Sequence, residues 1–209
     1  MRRILAIVLA LAAGPAPAQE AVPNPPAGAY KLDLGHGRLI FRVSHLGFST
    51  YTAFFRDFSA DLAFDPAKPQ AMAVKAVVKA GSVETLYPDP ALDFNAVIAG
   101  PEFLDAAKFP DITFVSTAVV QTGPNSADVT GDLTLHGVTK PVVLAATYNG
   151  GWASHPMDPG GARIGFSAKG QIKRSDFGVA FGIPAPGSTL GVGDAVGIEI
   201  EAEFTSKQP

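Results

Sequence analysis

The sequence predicts an antiparallel, all-β domain with a short helical insertion. Three observations lead there. From Tyr30 onward apolar residues recur with a period of two, the signature of half-buried strands. Twenty-two Gly and 18 Pro punctuate the chain, as short turns between strands require. No strand–helix–strand rhythm of about 30 residues appears, which argues against a parallel sheet.

The chain opens on an address label. Arg2 and Arg3 precede an apolar run, Ile4 to Ala13, and Ala16-Pro17-Ala18 supplies a small-x-small cleavage pattern. The apolar run is far shorter than the roughly 20 residues an α-helix needs to cross a bilayer. A cleavable signal peptide over residues 1–18 is therefore expected, with export to the periplasm and a mature chain starting at Gln19. Losing Arg2 and Arg3 would move the formal net charge from −3 to −5. Residues 19–28 read as an extended Pro-rich leader, and 29–206 as one domain.

The strands follow in order. Leu39, Phe41 and Val43 alternate with Arg38, Ile40 and Arg42. Phe58, Ala60, Leu62 and Phe64 alternate with polar residues until Asp65-Pro66. Met72, Val74, Ala76 and Val78 form a third run. Pro90 to Ala107 lacks the alternation and places Pro at two helix starts. Two short helices are predicted, 91–99 and 102–107, burying Phe94, Val97, Ile98, Phe103 and Leu104. Strands resume at Asp111–Val120, turn at Gly123-Pro124-Asn125, and continue through Val129–Leu135 and Val142–Tyr148. After a Gly-rich loop, 149–161, Ile164, Phe166, Ala168 and Ile172 alternate with Arg163 and Lys169. A second loop covers 174–193. In the last strand Val196, Ile198, Ile200, Ala202 and Phe204 oppose Glu199, Glu201 and Glu203. About eight strands result, in a sandwich or an up-and-down barrel. A closed barrel of that size is filled by side chains or shared with one small ligand. Small residues on the apolar faces (Ala60, Ala76, Gly131, Ala168, Ala202) suit either outcome.

Chemistry is constrained mainly by exclusion. The chain has no cysteine, hence neither disulfides nor a lipid-attachment site, and no stable membrane anchor is expected. Its acidic balance argues against nucleic acid and anionic membrane surfaces, which need clustered Lys and Arg. His36, His45, His136 and His155 show no metal-ligand spacing, and no nucleophile elbow exists. No catalytic residue, metal or required cofactor is predicted. His155 reads as surface, and His136 as a turn residue bonded to backbone. His45 shares a strand face with Phe41 and Val43, as a rim histidine or a headgroup contact. Arg174 and Asp176 form the best polar constellation, either a loop-pinning ion pair or a polar mouth with Phe177 and Phe181 as an apolar lip. The predicted interior comprises Phe41, Val43, Phe58, Leu62, Phe64, Phe114, Leu133, Leu135, Phe166, Ile172, Ile198 and Ile200.

Four blocks resemble the YceI-like family, exported bacterial proteins with a lipocalin-like barrel that bind polyisoprenoid lipids. They are Val43-Ser44-His45-Leu46-Gly47-Phe48-Ser49, Phe109-Pro110-Asp111-Ile112-Thr113-Phe114 preceded by Phe103-Leu104-Asp105, Gly131 to Val142 (Gly-Asp-Leu-Thr-Leu-His-Gly-Val-Thr-Lys-Pro-Val), and Arg174-Ser175-Asp176-Phe177-Gly178. The resemblance spans Tyr30 to Phe204. It implies an eight-stranded antiparallel lipocalin-like β-barrel and an isoprenoid ligand, either a polyprenyl lipid or a quinone-like molecule, as the partner. One departure stands out. Many relatives carry Arg-Asp-x-His-Leu in the insertion, where this chain has Phe94-Asn95-Ala96-Val97-Ile98. The functions that follow are a binding or carrier protein first, then an enzyme acting on an isoprenoid, then a ligand-free stress-protective module. Exposed strand edges or the apolar lip would allow a homodimer.

Overall fold

The computed structural model describes residues 24–206. The predicted signal peptide and the first part of the leader, 19–23, lie outside them. Eleven strands are present: β1 (Gly28–Leu32), β2 (Arg38–His45), β3 (Ser49–Phe55), β4 (Phe58–Phe64), β5 (Ala73–Lys79), β6 (Val83–Glu84), β7 (Asp111–Gly123), β8 (Ser126–Leu135), β9 (Val138–Trp152), β10 (Arg163–Lys173) and β11 (Val192–Thr205). One helix, α1 (Phe94–Ala99), interrupts them.

Their pairing makes a closed antiparallel barrel of eight strands. Three of the eight are broken in the middle. A single turn of 3₁₀ helix, Leu34–His36, separates β1 from β2. Both halves lie along β11, Leu32 opposite Phe204 and Phe41 opposite Ile198. Likewise β4 pairs with β1 and β3 with β2, and a 3₁₀ turn at Ala80–Ser82 divides β5 from β6. The other five run unbroken, and the β1–β11 pairing seals the ring. A barrel leaves no long unpaired edge, so the choice between sandwich and barrel is resolved.

Local sequence explains the joints. The β2–β3 and β8–β9 hairpins turn on two residues with positive φ, Leu46-Gly47 and His136-Gly137, the conformation that matches the strands' own twist. Leu46 and His136 accept a left-handed backbone that side-chain-bearing residues avoid. Alternation also works as expected: on β4 the outward Ser59, Asp61 and Ala63 separate buried Phe58, Leu62 and Phe64.

Three expectations are corrected. Of the two predicted helices only Phe94–Ala99 forms. It starts at Asp93, whose side chain caps the Ala96 amide at 3.0 Å, rather than at Pro90. Residues 102–107 are successive turns, with Asp105 at φ 45°. Strand β3 adds to the strands expected from sequence, with Tyr51, Ala53 and Phe55 alternating with Thr50, Thr52 and Phe54. Strand β9 extends to Trp152, so the loop after it is shorter than predicted.

Two apolar clusters brace the barrel. Tyr30, Leu62, Phe64, Ile164 and Phe204 pack beside Ala162 and Ala202 toward the 153–162 loop. Phe58, Val78, Ile112, Leu133, Leu135, Val142 and Phe177 pack at the other end. That second end carries α1 and the 174–191 loop.

Candidate functional site: an apolar cavity inside the barrel

The inward faces do not meet. They enclose a cavity of about 1000 Å³, at the top of the roughly 300–1,000 Å³ range of small-molecule sites. Its walls are the period-two faces of all eight strands. Phe41 and Val43 come from β2, Phe58, Leu62 and Phe64 from β4, and Phe114 from β7. Leu133 and Leu135 come from β8, Phe166 and Ile172 from β10, and Ile198 and Ile200 from β11. All twelve predicted interior residues therefore line one space.

Small residues serve two purposes. Ala60, Ala76, Ala146, Ala168 and Ala202 line the cavity and widen it. Gly131 works differently: a Cβ there would lie 2.3 Å from the Phe114 ring. The absent side chain makes room for the tip of that ring against β8, the close approach that glycine in a strand permits.

At the α1 end the wall is made of His45, Tyr51, Thr85, Tyr87, Phe94, Ile98, Phe103 and Leu104. Tyr87 and Phe94 pack with tilted rings, centroids 4.9 Å apart, and Phe94 meets Tyr51 edge-on at 6.0 Å. Thr85 is fixed by Asn95 through its amide and its hydroxyl, at 2.8 and 2.6 Å. The 94–98 segment thus gives Phe94 and Ile98 to an apolar wall, with Asn95 anchoring the neighbouring Thr85. Val97, predicted to be buried, faces solvent. At the opposite end exposed Pro66, Gln121 and Asn125 belong to the lining.

The polar candidates separate. Arg174 is 6% exposed and lines the cavity. It donates to the carbonyls of Val179 (3.1 Å), Phe181 (2.8 Å), Val192 (2.8 Å) and Gly193 (2.9 Å). Asp176 is outside the cavity and exposed, 4.0 Å from Lys140 Nζ. The Arg174–Asp176 ion pair does not form, because the guanidinium turns inward to the 179–193 backbone while the carboxylate turns out. Burial pushes the Arg174 pKa down, and Asp194 opposes the shift. Phe177 is no lip: it is 1% exposed within the core. Phe181 is exposed and meets Phe103 at 5.4 Å. The His136 ring packs at a tilt against Phe109, centroids 4.7 Å apart, in place of the expected backbone hydrogen bond.

A cluster the sequence did not single out lies outside the cavity. Arg163 bonds Asp33 at 2.7 Å, Asp158 at 2.6 Å and Glu203 at 2.8 Å, and His36 bonds Asp33 at 2.9 Å. Hydrogen bonds from Arg163 and then His36 hold the Asp33 carboxyl at a pKa of about 2. Burial works to lower the Arg163 pKa, but its three carboxylate partners outweigh it and raise the value. Asp33, His36 and Glu203 could together bind a cation, but Arg163 Nη1 already bonds both of these carboxylates. Alternation on β10 marks Arg163 as outward-facing. Nothing in the sequence links it to Asp33, 130 residues away.

Comparison with known proteins completes the description. Residues 30–204 match the model of the YceI-like domain. A UPF0312 protein of Pseudomonas savastanoi pv. phaseolicola is 43% identical over 155 residues, 74% of each chain. One from Pseudomonas putida F1 is 42% identical over 166 residues, 78% of this chain and 80% of the relative. Among solved structures, Campylobacter jejuni YCEI protein superposes with a TM-score of 0.65 at 32% identity, covering 79% of this chain and 90% of that one. Burkholderia cenocepacia BcnA gives 0.69 at 28% identity, covering 82% and 98%. A polyisoprenoid binding domain from Saccharophagus degradans shares the fold at 16% identity, with a TM-score of 0.60 over 84% and 97%.

Proposed function

The chain belongs to the YceI-like domain family, and from that premise we propose that it is a periplasmic carrier which sequesters an isoprenoid lipid, polyprenyl or quinone-like, inside the barrel. The carrying observation is the cavity: about 1000 Å³ of space walled by apolar side chains from every strand. The polyisoprenoid binding domain of Saccharophagus degradans, built on the same fold, supports the ligand class. The signal-peptide pattern in residues 1–18 supports export.

Physical chemistry favours binding over catalysis. Among the described residues the lining holds one charged side chain, Arg174, and one histidine, His45. Acid–base work needs paired titratable groups within hydrogen-bond reach of a reacting atom. A ligand-free module would need a solid centre instead.

Burying each CH₂-like group contributes about 0.8 kcal/mol, so a five-carbon prenyl unit gains at most about 4 kcal/mol. Eight units would sum to about 30 kcal/mol, beyond the roughly 18–21 kcal/mol at which non-covalent affinity saturates. Chain ordering and incomplete burial absorb the excess. Cavity length therefore sets the preferred chain. Solvent extraction of the purified exported protein followed by mass spectrometry tests the reading. A stoichiometric isoprenoid is expected; an extract with no apolar small molecule from protein expressed in its natural host would overturn it.

A further inference from the structure

Resting on the carrier reading, we propose that the cavity prefers amphiphiles with an anionic oxygen headgroup, a phosphate or a carboxylate, and that Arg174 receives that headgroup. Among the described residues, no Asp, Glu or Lys lines the cavity, and Arg174 carries its one full charge. A guanidinium presents five N–H groups and stays protonated. Four go to neutral backbone carbonyls, from Nε, twice from Nη1 and once from Nη2. The second Nη2 hydrogen lies outside those bonds.

The carbonyls disperse the charge without cancelling it. The carboxylate that acts on Arg174, Asp194, is itself held by the Ser175 amide at 2.9 Å and hydroxyl at 2.8 Å, and does not line the cavity. A nearly buried cation thus borders an apolar space, where electrostatic interactions are least screened. Clamping the loop explains the four bonds; it explains neither the spare hydrogen nor the unbalanced charge.

Position fits the same reading. Val192, whose carbonyl accepts from Nη2, lies opposite His45 at the end of β2. Arg174 therefore sits at the α1 end, the end where half-exposed Tyr87 belongs to the wall. A headgroup held there leaves the apolar length of the barrel to the chain.

The test compares one chain with different heads on the purified, exported protein. Geranylgeranyl phosphate, geranylgeraniol and geranylgeranylamine are titrated in competition with a fluorescent prenyl probe. The phosphate is expected to bind at least about tenfold more tightly than the alcohol, the lower end of what a charge-assisted hydrogen bond supplies, and the amine most weakly. Geranylgeranoic acid tells a general preference for anions from one for phosphate, and either supports the proposal. In Arg174→Met, checked for folding by circular dichroism, the ratio of phosphate to alcohol affinity falls toward one. If that variant does not fold, the wild-type series alone decides. Equal binding of the phosphate, alcohol and amine overturns the headgroup assignment and leaves the carrier reading standing. Binding of none of them overturns both.

Discussion

The two ends of the barrel hold themselves together by different means. At one end Arg163 gathers Asp33, Asp158 and Glu203 within 2.8 Å, above a cluster in which Phe64, Tyr148 and Phe166 interleave at 5.4–6.4 Å. At the α1 end the ion pairs are isolated rather than gathered on one residue: Lys79–Asp111 at 2.7 Å, Arg56–Glu84 at 3.4 Å and Lys140–Asp176 at 4.0 Å. Order there comes from one arginine bonded to backbone. Large apolar side chains remain in solvent at both ends, Phe48 at 84% and Leu190 at 76% here and Met157 at 89% in the 153–162 loop. One end is fixed by side-chain partners that specify each other, and the other by a side chain that holds loop backbone, Arg174.

Breaking the fixed end gives the largest expected effect. Arg163→Ala strands three carboxylates. A fully buried pair broken this way costs about 3–5 kcal/mol; partial exposure of the partners reduces that to about 2–3 kcal/mol, read by urea unfolding. Ligand affinity measured on the folded fraction should stay unchanged. Leu133→Trp addresses the cavity between the ends: overpacking costs about 1–3 kcal/mol, and native mass spectra should show a shorter bound lipid or none. Unaltered lipid content would mean that cavity length does not set the chain.

Acid sharpens the comparison further. The Asp33 carboxyl has its pKa lowered, so its stabilisation is complete above the unfolded value near 4 and fades as pH falls toward 2. About 1–2 kcal/mol should disappear over that window after allowance for solvent screening. In Arg163→Ala the same acid titration should be flatter. The smallest effect belongs to the loose end. Phe48→Ser should alter stability by no more than about 0.5 kcal/mol, within a degree or two in a thermal melt, because that ring packs against so little.

Much of the barrel was legible because strand faces announce themselves by alternation. Val196 to Phe204 against Glu199, Glu201 and Glu203 needed no partner to be read, and all twelve interior residues came from such faces. Whether they enclosed a space was not legible. Alanine suits a hollow and a tight core equally, and the Gly131–Phe114 contact depends on pairing between strands. The misread polar pair shows the same limit. Arg174 and Asp176 are two residues apart, yet a 3₁₀ turn at Arg174–Phe177 sends one inward and the other outward. Asp33 and Arg163 are remote in sequence and bonded in space. Proline signalled a helix start too early, since Asp93 supplies the stronger cap.

The ring is closed by its first strand meeting its last: Lys31 opposite Thr205 and Leu32 opposite Phe204. Until the carboxyl-terminal strand has emerged, the chain can form only an open, curling sheet with a sticky margin. Such long-range pairing slows folding and leaves intermediates prone to aggregate. Removing the whole of Val192–Thr205 would take away the pairings with both β1 and β2 and so act on biosynthesis, leaving a polypeptide that never acquires an inside.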